Sequence, residues 1–365
     1  MKFTIQREAI LRPLQTVCGV VERRQTLPIL SHLLLEVEHN RLIMTATDLE
    51  VEIVANMALG DKIEDGKTTV PARKLLDICR ALPDEATIEI GLQKERLQIR
   101  SGKSRFTLAM LPATDFPNVD AVVDAIVFTI SQQELKRLID ATQFAMAQQD
   151  VRYYLNGLML ELSEGRITVV ATDGHRLALC EAQLKHNAQE TRQAIIPRKA
   201  VTEMSRLLTE TDAPVEIRLG TNHIQFITPE VSFTSKLIDG RFPDYQGVLP
   251  KGGDKHITAQ RNNLKQALTR ASVLSNEKYR SIRFHLTEGT LRLYAHNPEQ
   301  EEAEEELAVD YHGSELEIGF NSNYLLDTLS AIGEEHVKIT LSDGNSSCLI
   351  QGREDCKYVI MPMRL

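Results

Sequence analysis

The feature that most constrains this chain is that it repeats itself at the length of a whole domain. Thr45-Ala46-Thr47-Asp48 returns as Val170-Ala171-Thr172-Asp173, 125 residues on, and more weakly as Tyr294-Ala295-His296-Asn297, a further 124 on. Val70-Pro71-Ala72-Arg73-Lys74 matches Ile196-Pro197-Arg198-Lys199-Ala200 at an offset of 126, and Phe116-Pro117-Asn118 matches Phe242-Pro243-Asp244 at the same offset. Leu30-Ser31-x-Leu33 matches Leu155-Asn156-x-Leu158 at 125. Solenoid units run roughly 20–50 residues, so this period is too long for one; it is the size of a complete domain. Three tandem copies of one fold are expected, at 1–125, 126–252 and 253–365, with linkers near Asp120–Asp124 and at Lys251-Gly252-Gly253-Asp254.

Each copy has the same order of elements. A helical pattern opens it, at 7–20, 131–147 and 260–275, with Ser131 and Glu134 spaced as a capping box and Pro13 expected to kink the first helix. Period-two alternation follows, as in Leu49/Val51/Ile53, Ile167/Val169/Ala171 and Leu291/Leu293/Ala295. A second helix is expected at 72–82, 198–208 and 322–332, then further strands. The fold class is therefore α+β, two helices and several antiparallel strands per copy.

Hydrophobic content of 42% and charged content of 25% suit a globular chain and exclude disordered or collagen-like ones. Apolar runs such as Leu33-Leu34-Leu35 and Val122-Val123 fall far below the ~18 residues that span a bilayer. Met1-Lys2-Phe3-Thr4 alternates at once, with no signal-peptide core, so a cytoplasmic protein with no membrane partner is expected. Cys18, Cys79, Cys180, Cys348 and Cys356 are odd in number and lack a C-x-x-C, which reads as five reduced thiols with no zinc site.

Charge is segregated. The six helix windows together carry +7, which leaves −16 for the rest of a chain of net −9. Helices gathered on one surface would attract a polyanion there; equally, Lys and Arg are ordinary residues of solvated helix faces. The cations concerned are Arg73, Lys74, Arg80, Arg198, Lys199, Arg206, Lys265 and Arg270. A second segregation sets the basic, alternating stretch from Arg96 to Phe106 in the first copy against Glu299-Gln300-Glu301-Glu302-Ala303-Glu304-Glu305-Glu306 in the third. The first reads as a sheet edge and the second as its complement or as a solubilising run. Pairing between two chains would be head to tail, and two such contacts about a two-fold axis close a ring. Helices pack ~10 Å apart, so if they lined a hole, six would leave only ~9 Å clear and twelve, from two chains, roughly 28 Å.

Catalysis finds little support. No G-x-x-x-x-G-K-[ST], G-x-S-x-G or H-E-x-x-H pattern occurs. Asp173-Gly174-His175 suits a strand-to-strand turn better than an acid–base pair, and the Glu run lacks the alternation of an EF-hand loop. A sequence-specific regulator would need a base-reading motif and, usually, a basic total charge. No metal or cofactor is expected.

Over its whole length the sequence resembles the bacterial beta sliding clamp family, the processivity subunit of the replicative DNA polymerase. The likeness rests on Thr47-Asp48-Leu49-Glu50, Asp150-Val151-Arg152-Tyr153-Tyr154-Leu155-Asn156-Gly157, Ala171-Thr172-Asp173-Gly174-His175-Arg176-Leu177 and Asp239-Gly240-Arg241-Phe242-Pro243-Asp244-Tyr245. It continues in Leu274-Ser275-Asn276-Glu277-Lys278, Asn297-Pro298-Glu299-Gln300-Glu301-Glu302 and Met361-Pro362-Met363-Arg364-Leu365. The resemblance implies three similar domains per chain and a non-catalytic, head-to-tail homodimeric ring around double-stranded DNA. It adds Arg24 and Gln149 as DNA contacts on loops. For closure it sets Lys74, Arg96, Lys103 and Arg105 against Glu299, Glu301, Glu302 and Glu305, and Phe106 and Leu108 against Val273 and Leu274.

It also implies a cleft between the second and third domains that takes short peptide motifs of the replicative polymerase, the clamp loader, other polymerases and repair proteins. The matching positions begin with Arg152, Tyr154, Leu155, Thr172, Gly174, His175, Arg176, Leu177, Pro243 and Val248. They continue with Asn321, Tyr324, Ser347, Val359, Met361, Pro362, Met363 and Arg364. Flexible, polarizable Met361 and Met363 suit varied peptide side chains, although Met-Pro-Met alone reads equally as a core plug. Gln246-Gly247 stands where the family often has basic residues, a departure that bears on peptide selectivity.

Overall fold

Period-two alternation governs most of this chain, because a strand that buries every second side chain must find a sheet to lie in. The structure, a computed structural model, describes residues 1–22, 27–60, 63–119, 122–184 and 191–364. They fall into two compact units, Met1–Gln132 with Thr202–Leu237, and Gln133–Val201 with Ile238–Leu365. The units cut across the sequence repeat because neighbouring copies share sheets.

In the first unit an antiparallel eight-stranded sheet runs Gly66–Pro71, His32–Glu38, Arg41–Thr47, Val51–Ala58, Val231–Lys236, His223–Ile227, Pro214–Leu219, Ile126–Ser131. Four strands come from the first copy and four from the second. The second unit repeats the plan one copy later: Arg192–Pro197, Gly157–Ser163, Arg166–Thr172, Arg176–Gln183, Cys356–Ile360, Cys348–Gln351, His336–Leu341, Lys255–Gln260. Two four-stranded sheets are left over. Lys2–Gln6, Thr87–Gln93, Arg96–Ser101 and Ser104–Ala109 form one in the first unit; Glu302–Ala308, Thr290–His296, Ser281–Thr287 and Leu316–Asn321 form the other in the second. Ser104–Ala109 and Glu302–Ala308 are each the outermost strand of their sheet.

The described α-helices are α1 (Arg7–Val17), α2 (Ala72–Ala81), α3 (Gln132–Asp140), α4 (Arg198–Leu207), α5 (Arg261–Ala271) and α6 (Ser322–Ala331). Helix α2 buries Ala72, Leu75, Leu76 and Cys79, an i, i+3, i+4, i+7 stripe, and exposes Arg73, Lys74, Asp77 and Arg80. Helix α1 packs on α2 and on the strands Arg41–Thr47 and Val51–Ala58, and α5 packs on α6 and on Glu302–Ala308. Two helix ends differ from expectation. Helix α1, which contains Pro13, ends at Val17 rather than at 20. Helix α3 stops at Asp140 rather than at 147, where Thr142 Oγ1 donates back to the Leu138 carbonyl (2.7 Å) and Gln143–Ala145 forms a separate 3₁₀ turn. None of the described helices is long and apolar enough to cross a membrane.

The cysteine reading is also corrected. Cys180 and Cys356 form a disulfide, while Cys18, Cys79 and Cys348 are free and buried. The reason is register: Arg176–Gln183 pairs with Cys356–Ile360 so that the two cysteines face each other directly, Cα atoms 4.2 Å apart. Directly opposed residues of a non-hydrogen-bonded antiparallel pair lie about 4.5 Å apart, a relation invisible in a count of cysteines 176 residues apart. Thiol titration of the denatured, unreduced chain should find three reactive cysteines, rising to five after reduction; five in both states would contradict the pairing.

At the corresponding junction in the first unit, Glu52 stands opposite Thr234. Burial pushes the Glu52 carboxyl up from 4.5 to about 7, only partly opposed by a hydrogen bond from the Val119 backbone. A carboxyl raised in the folded state adds no penalty below its unfolded value. Its cost appears as pH climbs from 4.5 towards 7 and is complete above that. Glu52→Gln should therefore stabilise the protein at pH 8 by on the order of 1–2 kcal/mol, with partial exposure screening the effect, and leave it unchanged near pH 4. Urea denaturation at the two pH values checks this; equal effects at both would refute it.

Candidate peptide cleft and basic faces

The strands Arg166–Thr172 and Arg176–Gln183 are joined by a turn built from its own side chains. Asp173 Oδ1 accepts from the amides of His175 (2.9 Å) and Arg176 (3.0 Å), and Thr172 Oγ1 accepts from the Gly174 amide and donates to the Arg176 carbonyl. Thr47 and Asp48 make the same bonds to Leu49, Glu50 and Val51. Asp173-Gly174-His175 is thus a turn motif, one oxygen of its carboxylate committed to backbone amides.

Beside this turn lies a mostly apolar cleft of about 160 Å³. Its lining includes the apolar or neutral Tyr154, Leu155, Thr172, Gly174, Leu177, Pro243, Val248, Val359 and Met361 and the cations Arg152 and Arg176. Leu177 and Val359 are register partners across the copy junction, which sets them side by side on one face. Beneath them a buried cluster of Met159, Val170, Leu179, Ile195, Phe242 and Tyr245 forms the floor. Phe242 and Tyr245 also line the cleft and were missed as site residues, although Phe242-Pro243 was a repeat landmark. Tyr245 donates to Glu161 Oε1 (2.9 Å), Gln193 donates to Oε2 (2.6 Å), and burial pushes the Tyr245 hydroxyl up to about 12. The floor is therefore a neutral donor on a fixed carboxylate, held by packing.

The cationic margin is already paired. Arg152 grips Asp150 through Nε (3.0 Å) and Nη2 (2.8 Å) and also donates to the Asp173 carbonyl, which holds the Asp150 carboxyl down at about 2. Gly174 sits at φ +89, a conformation that favours glycine, and a Cβ there would stand 3.1 Å from the Arg152 guanidinium, which would have to shift slightly.

His175, Tyr324, Met363 and the other remaining positions flank the cleft rather than line it. His175 stacks on Tyr324 (centroids 6.3 Å, 16° between planes), and its carbonyl accepts from the Met361 amide (2.9 Å). The Met363 amide donates to Gly319, which carries the Met361-Pro362-Met363 segment past this wall. Asn321 caps α6 by accepting from Asn323 and donates to the Tyr279 carbonyl, a structural role. Ser347 is half-buried and Arg364 exposed.

The DNA candidates divide by unit. In the first, Arg73, Lys74, Arg80 and Arg206 are exposed on α2 and α4. Arg73 also donates to the Val21 carbonyl (2.6 Å), and Arg206 pairs with Glu203 (2.7 Å). Arg206 lines a groove with Arg12 of α1, a cation not singled out from sequence. In the second unit Gln149 is exposed, Lys265 and Lys199 are half-buried, and Arg198 donates to the Met146 and Ala147 carbonyls. Arg270 is bound bidentately by Glu305 (2.7 and 2.6 Å), so two residues assigned to different surfaces neutralise each other within one chain. Arg24 lies outside the described residues. Of the closure candidates, Arg96, Lys103 and Arg105 are exposed, as are Glu299, Glu301 and Glu302. Phe106 and Leu274 are half-buried, Leu108 is buried in its own sheet, and Val273 is 75% exposed.

Three family models match the chain. They describe the DNA polymerase III beta subunit N-terminal domain (residues 1–120), central domain (129–244) and C-terminal domain (246–364). The Beta sliding clamp of Pseudomonas aeruginosa is 56% identical over 367 residues, and that of Escherichia coli (strain K12) 51%, each with 100% of both chains covered. The crystal structure of the DNA polymerase III subunit beta from P. aeruginosa superposes with a TM-score of 0.98 at 56% identity, again with 100% of both chains covered. A P. aeruginosa sliding clamp bound to griselimycin gives the same TM-score, identity and coverage.

Proposed function

The chain belongs to the DNA polymerase III beta subunit family, the beta sliding clamps, and from that premise we propose that two copies close head to tail into a ring that encircles duplex DNA. Its function is that of a sliding clamp, a non-catalytic processivity subunit. The observation that carries the closure is the pair of open sheet edges. Ser104–Ala109 is the first-copy counterpart of Val231–Lys236 and Cys356–Ile360; Glu302–Ala308 is the third-copy counterpart of Val51–Ala58 and Arg176–Gln183. Within the chain these counterparts pair, 51–58 with 231–236 and 176–183 with 356–360. The missing pairing is 302–308 with 104–109 of a second copy, and it would complete an eight-stranded sheet of the same plan at each joint.

Edge amides and carbonyls supply the ladder, and the opposed charges of Arg96, Lys103 and Arg105 and of Glu299, Glu301 and Glu302 set its register. Val273, exposed beside that edge, supplies apolar contact with Leu274 and the partner's Phe106. Leu108, buried in its own sheet, lies beside Phe106 on the same strand face, and Glu305 serves to hold Arg270. In this reading the domains are 1–125, 126–252 and 253–365, and the protein works in the cytoplasm.

DNA is held by enclosure. Lys74, Arg80, Arg73, Arg206 and Lys265, with Arg24, Gln149, Arg198 and Lys199, meet phosphates, which carry no sequence information and so permit sliding. Ion pairs such as Arg270–Glu305 reduce the fixed positive charge and keep that grip weak. The cleft around Leu177 and Val359 takes a short, partly apolar peptide from polymerases, the clamp loader and repair proteins, and griselimycin serves as a probe for it.

Two outcomes follow. Loaded protein should stay on nicked circular DNA and run off once the circle is cut; equal loss from both would defeat enclosure. Val273→Ala with Leu274→Ala should yield more monomer by light scattering than any single Glu→Gln change, because each exposed ion pair contributes only about 0–1 kcal/mol. A chain of single-copy mass at micromolar concentration would remove the ring.

A further inference from the structure

We propose that Asp327 is a positioning residue for the peptide cleft, acting through Arg176. The inference rests on the reading of that cleft as a peptide site and goes beyond it, since Asp327 does not line the cleft. Arg176 leaves the Thr172–Arg176 turn with every guanidinium nitrogen engaged. Nε donates to Asp173 Oδ2 (3.1 Å), Nη1 to Asp327 Oδ2 (2.6 Å) and Nη2 to the Phe144 carbonyl (2.9 Å). Two aromatic rings lie against it as well, with the Tyr324 ring centroid 4.7 Å away and that of Phe144 at 5.3 Å. The side chain is only 12% exposed. A cation held this way is a strut, and its charge is directed into the protein rather than at a ligand.

The strut joins the cleft to a helix outside its lining. Arg176, Asp173 and Phe144 belong to the central copy, whereas Asp327 and Tyr324 lie on α6 of the C-terminal copy. They are three residues apart, so they share one face of that helix. Fixing Asp327 on Nη1 therefore fixes the rotation of α6, and with it the Tyr324 ring that stacks on His175. The His175 carbonyl in turn holds the Met361 amide at the margin of the cleft. Removing the Asp327 carboxylate would free Arg176, which lines the cleft, and Tyr324 beside it to sample other rotamers, and a peptide would have to order Arg176 on binding, at a cost in affinity. Stability should change little, because the Asp327 side chain is 49% exposed and such pairs contribute little to folding.

The test is a double-mutant cycle on the full-length protein, with griselimycin binding measured by calorimetry and melting temperature recorded in parallel. Asp327→Asn and Arg176→Lys should each weaken binding about five- to twentyfold, Asp327→Asn with a melting temperature close to wild type, and the double variant should be no weaker than the worse single within about twofold. Unchanged affinity in Asp327→Asn, or additive losses in the double variant, would overturn the proposal. If Arg176→Lys does not fold, Asp327→Glu decides: affinity near wild type supports a positioning carboxylate, and a loss equal to that of Asp327→Asn overturns it. Leu177→Lys separates the two readings. If the wild type binds and Leu177→Lys binds equally well, or if the wild type does not bind at all, the cleft assignment fails and takes the Asp327 proposal with it.

Discussion

The antiparallel ladder between neighbouring copies is the interaction on which the rest of this molecule depends. Each copy offers a strand at one edge that the next copy can accept, and the chain uses this twice, at 51–58 with 231–236 and at 176–183 with 356–360. Backbone hydrogen bonding is indifferent to side chains, so the joint repeats even where sequences diverge. Three copies in a row can satisfy only two such joints. The first copy keeps one open edge and the third keeps its complement, and unpaired edges are what a sheet protein must cover or use.

Because register is the same at both joints, a difference in chemistry between them comes from side chains alone. Leu177 opposite Val359 in the second unit corresponds to Glu52 opposite Thr234 in the first. The apolar pair opens a surface that a peptide side chain can cover. The polar pair sinks a carboxyl against the Val119 amide. Cys180 opposite Cys356 likewise corresponds to Ala55 opposite Val231. A covalent link thus lies three residues along the ladder from the Leu177–Val359 pair, and by closing a loop of 176 residues it restricts the unfolded chain by on the order of 5 kcal/mol in the chain-entropy account.

Electrostatics here is a matter of restraint. Several helix cations are committed inside the chain, Arg270 to Glu305, Arg206 to Glu203 and Arg198 to carbonyls, and the strand residue Arg176 is committed to two aspartates. A protein that had to grip DNA by affinity would leave such groups unpaired, since release of counterions by free Lys and Arg dominates that affinity. Pairing them suits a molecule that stays on DNA by closure and moves along it.

Much of this was legible in the chain itself. The period near 125, the alternation of the strands, the basic stripe of α2 and the landmarks Thr172-Asp173 and Phe242-Pro243 are local patterns, set by side-chain spacing and turn chemistry, and local patterns survive without coordinates. What no spacing could reveal is which strand lies beside which. Register across 176 residues put Cys180 on Cys356, Leu177 on Val359 and, through α6, Asp327 on Arg176. It also set Arg270 against Glu305. The sequence by itself determined three copies of one α+β fold and the charge of its helices, because those depend on neighbours in the chain. Only the tertiary structure decided the disulfide, the floor of the cleft and the paired cations, because each depends on groups brought together by a ladder that hydrogen-bonds any backbone alike.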